Sequence, residues 1–151
     1  MSKKQKSVGD FKVCKEEANQ FYAIAVWCDD RDAVQFLYET MYPYAVNVAF
    51  ACELYIKAIQ LFESSINEFT KGHNLKELFD GIEESTRNII KSKFEEVYSG
   101  MALEDFLAEN GETFVEWRYA LENGVRVNIS GFEAFSKVLH DYVNALGKEE
   151  Q

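Results

Sequence analysis

The sequence predicts an all-α fold, an up-down bundle of four to five main helices with short extra helices between them. Three observations carry that prediction. The 151 residues contain a single proline, apolar residues recur every three or four positions, and capping and glycine signals divide the pattern into helix-length pieces. At 47% hydrophobic, the chain is too apolar for a disordered segment. Its length suits one domain with a core that needs no disulfide or metal staple.

A first amphipathic helix is expected from Lys15 to about Asp30, with Phe21, Ala25 and Cys28 on one face and Ile24 beside them. A short helical piece, Asp32 to Met41, is expected to stop before Pro43, because the residue preceding proline disfavours helix. Pro43 then opens the strongest helix, in the early position that proline tolerates best. Tyr44, Val48, Ala51, Tyr55, Ala58 and Phe62 form one stripe, and Ala45, Ala49, Cys52, Ile56 and Ile59 a second beside it. A helix apolar over so much of its circumference must be packed on several sides, which makes it the central helix. Its pattern breaks near Thr70, where Lys71-Gly72 reads as a helix end. Asn74 with Glu77 three residues on reads as the cap of the next helix, which ends near Gly81. Further helices are expected over Ser85 to Tyr98 and Ala102 to Glu109. Thr113 and Glu116 read as a capping box for a helix that carries Phe114, Trp117 and Leu121 inward and ends at Asn123-Gly124. Val125, Val127 and Ile129 suggest a short extended connector. Ser130 and Glu133 make a third capping box, and Phe132, Phe135, Leu139, Tyr142 and Leu146 give the last helix its inward face. No linker or repeat divides the chain. Residues 1–14 read as a basic flexible tail and residues 15–147 as a single helical bundle domain.

There are 16 Lys and Arg against 26 Asp and Glu, a net charge of −10. That balance opposes diffuse nucleic-acid binding, which needs clustered cations on phosphates. Residues 1–15 carry five lysines against one aspartate and are basic, whereas the stretch from Glu95 to Glu122 holds eight acids against Arg118 alone. Any anion site is therefore expected at the His73 turn, at Lys57 or in the lysine tail. Cys14, Cys28 and Cys52, odd in number and widely spaced, read as buried thiols of a cytoplasmic protein. The polar stretch Met1 to Asp10 has no secretory h-region, and no unbroken apolar run approaches the ~18 residues of a membrane span, so no membrane association is expected.

Known chemical signatures are few. No Gly-rich phosphate loop, CxxC pair, HExxH or GxSxG occurs. His73 and His140 have no His or Cys at ligand spacing and no Glu three residues before them, so neither a metal nor a cofactor is expected. What remains is a group of polar residues in apolar surroundings. Glu53 and Lys57 stand i, i+4 on the central helix, and Arg118 and Glu122 repeat the relation with opposite polarity. His73 lies in a Gly-His-Asn turn before a capped helix, and Asn47 shares the central helix with Glu53. The set Asn47, Glu53, Lys57, His73, Arg118 and Glu122 reads either as a polar core network that fixes helix register or as a binding site. Glu53, His73 and Arg118 are its catalytic candidates.

Three strings add a resemblance. Asn47-Val-Ala-Phe-Ala-Cys-Glu53-Leu-Tyr-Ile-Lys57-Ala58, Lys71-Gly72-His73-Asn74-Leu-Lys-Glu77-Leu-Phe79 and Phe114-Val-Glu-Trp117-Arg118-Tyr-Ala-Leu-Glu122 occur in that order. Together they resemble a bacterial branch of the HEPN superfamily, the higher eukaryotes and prokaryotes nucleotide-binding domains, over about residues 43–146. The resemblance implies an up-down bundle that is usually dimeric. It also implies service as an RNA-cutting toxin, a phage-defence component, or the partner of a nucleotidyltransferase or antitoxin, with RNA or a nucleotide as ligand. Active relatives carry an Arg, four to six residues, then a His on one helix. Arg31, Arg87, Arg118 and Arg126 each lack that histidine. Three functions therefore stand open: a non-catalytic HEPN-like domain binding a protein partner or a nucleotide or RNA element, an atypical ribonuclease using Glu53, His73 and Arg118, and a structural homodimerisation module. For the last, Phe11, Trp27, Phe36, Tyr38 and Tyr42 are the interface candidates.

Overall fold

A computed structural model describes residues 9–118 and 127–147, with the side chain of Arg118 outside that description. Among the described residues the secondary structure is helical throughout, without strands. Helix α1 spans Gly9–Asp29, so it begins six residues before Lys15 and takes in the end of the expected tail. Residues 1–8 lie outside the described residues. Asp32 caps the short α2, Ala33–Gln35, by accepting the Gln35 N–H at 2.9 Å. A π-helical turn, Phe36–Thr40, leads directly into α3, Met41–Glu63.

The expected break at Pro43 does not occur. The proline sits in the first turn of α3, where its missing N–H removes no bond the helix needs. The wide turn before it is pinned by Thr40, whose Oγ1 donates to the Cys28 carbonyl at 2.6 Å. Both apolar stripes of α3 are buried, except that Phe62 at the last turn is partly exposed. The helix is packed by α1 along its length and by α4, Leu75–Asp80, α7, Thr113–Arg118, and α8, Ile129–Ala145. The run from Ala33 to Glu63 is long and apolar enough to cross a bilayer on length and composition, and 72% of its most apolar window is buried in the fold. That burial is what a core helix of a bundle requires.

α3 ends at Glu63, not near Thr70. The segment between Glu63 and Leu75 is a loop, with Asn67 at φ 57° and Gly72 at φ 109°. Its backbone is held by side chains of α3. Gln60 accepts the Thr70 N–H at 2.5 Å and donates to the Leu78 carbonyl at 2.6 Å, while Glu63 accepts from the Glu83 N–H and from Thr86 Oγ1. Asn74 caps α4 as its spacing predicts, accepting the Glu77 N–H at 3.0 Å. Helices α5, Glu84–Val97, and α6, Leu103–Asn110, match their sequence pattern closely.

Two expected capping boxes do not form. Thr113 lies inside α7, and its Oγ1 donates to the Asn110 carbonyl at 2.8 Å while the Glu116 N–H bonds to Glu112. The compact turn after α6 starts the helix directly. α8 is capped by Asn128, which accepts the Gly131 N–H at 2.8 Å, so Ser130 falls within the helix. Gly131 allows this start: a Cβ there would sit 2.6 Å from Phe106. The end of the α7 segment, including Leu121, Glu122 and Asn123-Gly124, and the connector residue Val125 lie outside the described residues.

Candidate functional site

Glu53 sits at the middle of α3 and is 1% exposed. A carboxylate so deeply buried requires donors, and the structure supplies two. Lys57, one turn on, donates from Nζ to Oε2 at 3.0 Å. His73 donates from Nδ1 to Oε1 at 2.9 Å across the 64–74 loop. Since an ionised carboxylate only accepts, Nδ1 is the donor in this contact.

The loop brings His73 to this position through Gly72, whose φ of 109° is open to glycine and strained for other residues. Asn74 fixes the other side, donating to Glu112 at 2.6 Å, and the Leu75 N–H bonds to the Gly111 carbonyl. Aromatic rings close the site. Phe114 of α7 lies 5.3 Å from the His73 ring and stacks on Phe50 at 4.7 Å, and Lys57 Nζ is 5.4 Å from the Phe69 centroid. Glu53 is thus sealed, Lys57 nearly so, and the His73 side chain remains 48% exposed.

The structure therefore brings together Glu53, Lys57 and His73. Asn47 does not join them: its side chain donates to the Pro43 carbonyl at 2.7 Å on the same helix. α7 packs on α3 as the sequence reading requires, while the Arg118 side chain and Glu122 lie outside the described residues. Phe69 and Phe114 were absent from the sequence-based site, and their signal is present in retrospect as aromatics flanking the Gly-His turn and opening the third block. Among the described residues, no three His, Cys, Asp or Glu side chains stand together where a metal ion could be held.

The thiols are inactive by environment. Burial, and secondarily the negative charge of Glu17, pushes the Cys14 thiol up to about 12, and burial likewise raises Cys28 and Cys52. A thiol kept protonated is a poor nucleophile and a poor ligand.

A different surface is open. At the corner formed by the end of α1, the π-helical turn and the start of α3, Trp27 is 61% and Tyr38 80% exposed, with Val34, Leu37 and Tyr42 also exposed. Arg31 lies over the Trp27 ring at 4.1 Å, and Tyr42 packs its ring 5.1 Å from Trp117. Of the five aromatics expected at an interface, Trp27, Tyr38 and Tyr42 are on this surface. Phe11 instead packs on Phe62 at 5.1 Å, and Phe36 turns inward onto Tyr44 at 5.5 Å.

No protein-family model, curated protein or solved structure matches the chain. The fold and the site together define an all-α helical domain with a sealed carboxylate centre on its core helix and an aromatic corner on its surface.

Proposed function

We propose that the chain is a non-catalytic HEPN-like helical domain that works by docking protein, a second copy of itself first, through the aromatic corner. The observation that carries this reading is the exposure of Trp27, Val34, Leu37, Tyr38 and Tyr42, all within sixteen residues at the junction of α1, the π-helical turn and α3. Monomeric surfaces seldom leave large apolar side chains clustered in this way, and aromatics are enriched at protein interfaces. The net charge of −10 favours protein over nucleic acid as the occupant. The π-helical turn supports the reading too, since such turns concentrate at functional positions and this one carries the exposed Leu37 and Tyr38. A nucleotidyltransferase or antitoxin partner, and a role in defence, belong to the same reading through the HEPN resemblance. Sedimentation of the wild-type chain and of a Leu37→Glu/Tyr38→Glu variant tests it. A reversible dimer that the variant turns into a monomer supports the docking surface, and identical monomeric masses contradict it.

A second reading is favoured by one specific contact. Glu53 contacts His73 at Nδ1 and the ring is half exposed, the carboxylate–imidazole relation a general base uses. In an atypical ribonuclease His73 would take the 2′-hydroxyl proton and Arg118 would steady the phosphorane charge. Unchanged RNA after incubation with concentrated protein contradicts it, and cleavage lost in His73→Ala supports it.

A further inference from the structure

Between Lys15 and Lys57 the chain has a single cation, Arg31, among seven acids. Arg31 follows the end of α1 and lays its guanidinium over the Trp27 ring, 4.1 Å from the centroid. Asp29, Asp30 and Asp32 flank it in sequence, yet among the described residues it forms no ion pair. Its Nε is buried without a hydrogen-bond partner, and no other buried side-chain nitrogen or oxygen among the described residues is left so. A buried donor normally finds an acceptor, and leaving one unmet is costly. Stacking on an indole also holds the planar guanidinium in one orientation. Arg31 is therefore a fixed, partly desolvated cation on the aromatic corner, without a counter-ion of its own.

The π-helical turn carries an anion in the matching state. Glu39 is exposed, next to Tyr38, and among the described residues its carboxylate has no ion pair or hydrogen bond. The other acids nearby are placed differently. Asp32 accepts the Gln35 N–H at 2.9 Å, and Asp29 and Asp30 line a cavity between α1, α3 and α8. One copy of the chain thus presents an unmatched cation and an unmatched anion on the same apolar surface, and does not pair them with each other. In a two-fold interface residue i meets residue j of the second copy and j meets i, so one symmetric contact satisfies both groups twice over.

We propose that a second copy of the chain covers the corner, with Arg31 of each protomer paired to Glu39 of the partner subunit. This pairing rests on the docking reading above and adds the charges that set its orientation. A guanidinium and a carboxylate meet as a charge-assisted, geometrically specific pair. Trp27, Leu37 and Tyr38 around the pair keep water out, as the apolar surroundings of an interface anchor do. The pair also selects the partner. Two chains of net charge −10 repel each other, and like charges brought together across an interface are rejected, so the register that brings Arg31 to an acid is the favoured one.

Charge reversal of the full chain, followed by sedimentation across a range of concentrations, tests the pairing. In Arg31→Glu and in Glu39→Arg like charges face each other at both symmetry-related contacts. Each variant alone is expected to dimerise about a hundredfold more weakly than the wild type, about tenfold per contact. An equimolar mixture of the two variants is expected to regain a dimer of near wild-type strength, because opposite charges then meet at both contacts. Glu39 is exposed and bonded to nothing in the chain, so its reversal is read without disturbance of the fold, and Glu39→Arg alone must lose the dimer. A mixture that associates no better than its separate components overturns the proposal. A dimer lost in Leu37→Glu/Tyr38→Glu but unchanged in Arg31→Glu and Glu39→Arg also overturns it, and leaves the docking reading standing. A wild-type chain that stays monomeric at every concentration overturns both.

Discussion

The centre of α3 and the outer corner of α1 both hold acids and aromatic rings, and the fold completes one while leaving the other open. Glu53 is closed in by Lys57, His73 and Phe114, all supplied by the chain. At the end of α1, Asp29 and Glu133 line an open cavity, and Trp27, Tyr38 and Tyr42 are exposed to solvent. Burial accounts for the difference. A carboxylate deep in the core is tolerated only with its donors built in, whereas groups at an open surface can wait for a partner that arrives from outside. The corner is therefore where the proposed docking belongs, and the Glu53 centre ties the 64–74 loop to the core helix.

That contrast breaks most sharply at Glu53. Glu53→Ala should destabilise the fold by about 3–5 kcal/mol, by stranding the nearly buried Lys57 ammonium, as read from urea unfolding midpoints. A loss below about 1 kcal/mol would show that the centre is not structural.

The open pair has the opposite sign. Glu133 is raised in the folded protein to about 7 from an ordinary 4.5, so the native state binds the extra proton between those values. Stability is fully present below about 4.5 and falls as pH rises through about 7. Because Glu133 is exposed and screened by solvent, the fall should be about 1 kcal/mol. Glu133→Gln should flatten that profile and raise stability at pH 8, a direct check by thermal unfolding at several pH values.

His73→Ala sharpens the comparison from within the sealed centre. His73 is half exposed and Glu53 keeps Lys57, so the cost should be about 1 kcal/mol or less. A cost equal to that of Glu53→Ala would make the imidazole, not the lysine, the essential partner. The smallest stability effect is expected at the corner: Leu37→Glu/Tyr38→Glu should change unfolding free energy by no more than about 0.5 kcal/mol, while abolishing the proposed docking.

Much of this was legible in the sequence. The two stripes of α3 announced a helix packed on several sides, and the Glu53-Lys57 spacing announced its pair. Asn74 declared its cap three residues ahead of Glu77. Other features were not local in sequence. The end of α3 at Glu63 depends on Gln60 and Glu63 bonding to Thr70, Leu78, Glu83 and Thr86, which no periodicity reports. The cap of α8 at Asn128 was masked by a Ser-x-x-Glu spacing that looks like a capping box but lies within the helix. Ile24, expected beside the buried face of α1, is exposed because that face follows Ala18, Ala25 and Cys28. Asp29 and Glu133, more than a hundred residues apart, line one cavity only because α1 packs against α8.

The most direct test of the central claim is the sedimentation of the wild-type chain beside Leu37→Glu/Tyr38→Glu at micromolar concentration, with both confirmed as folded by circular dichroism. The corner as a protein-docking surface predicts a concentration-dependent dimer in the first and a monomer in the second. The same monomeric mass for both chains at every concentration would contradict it.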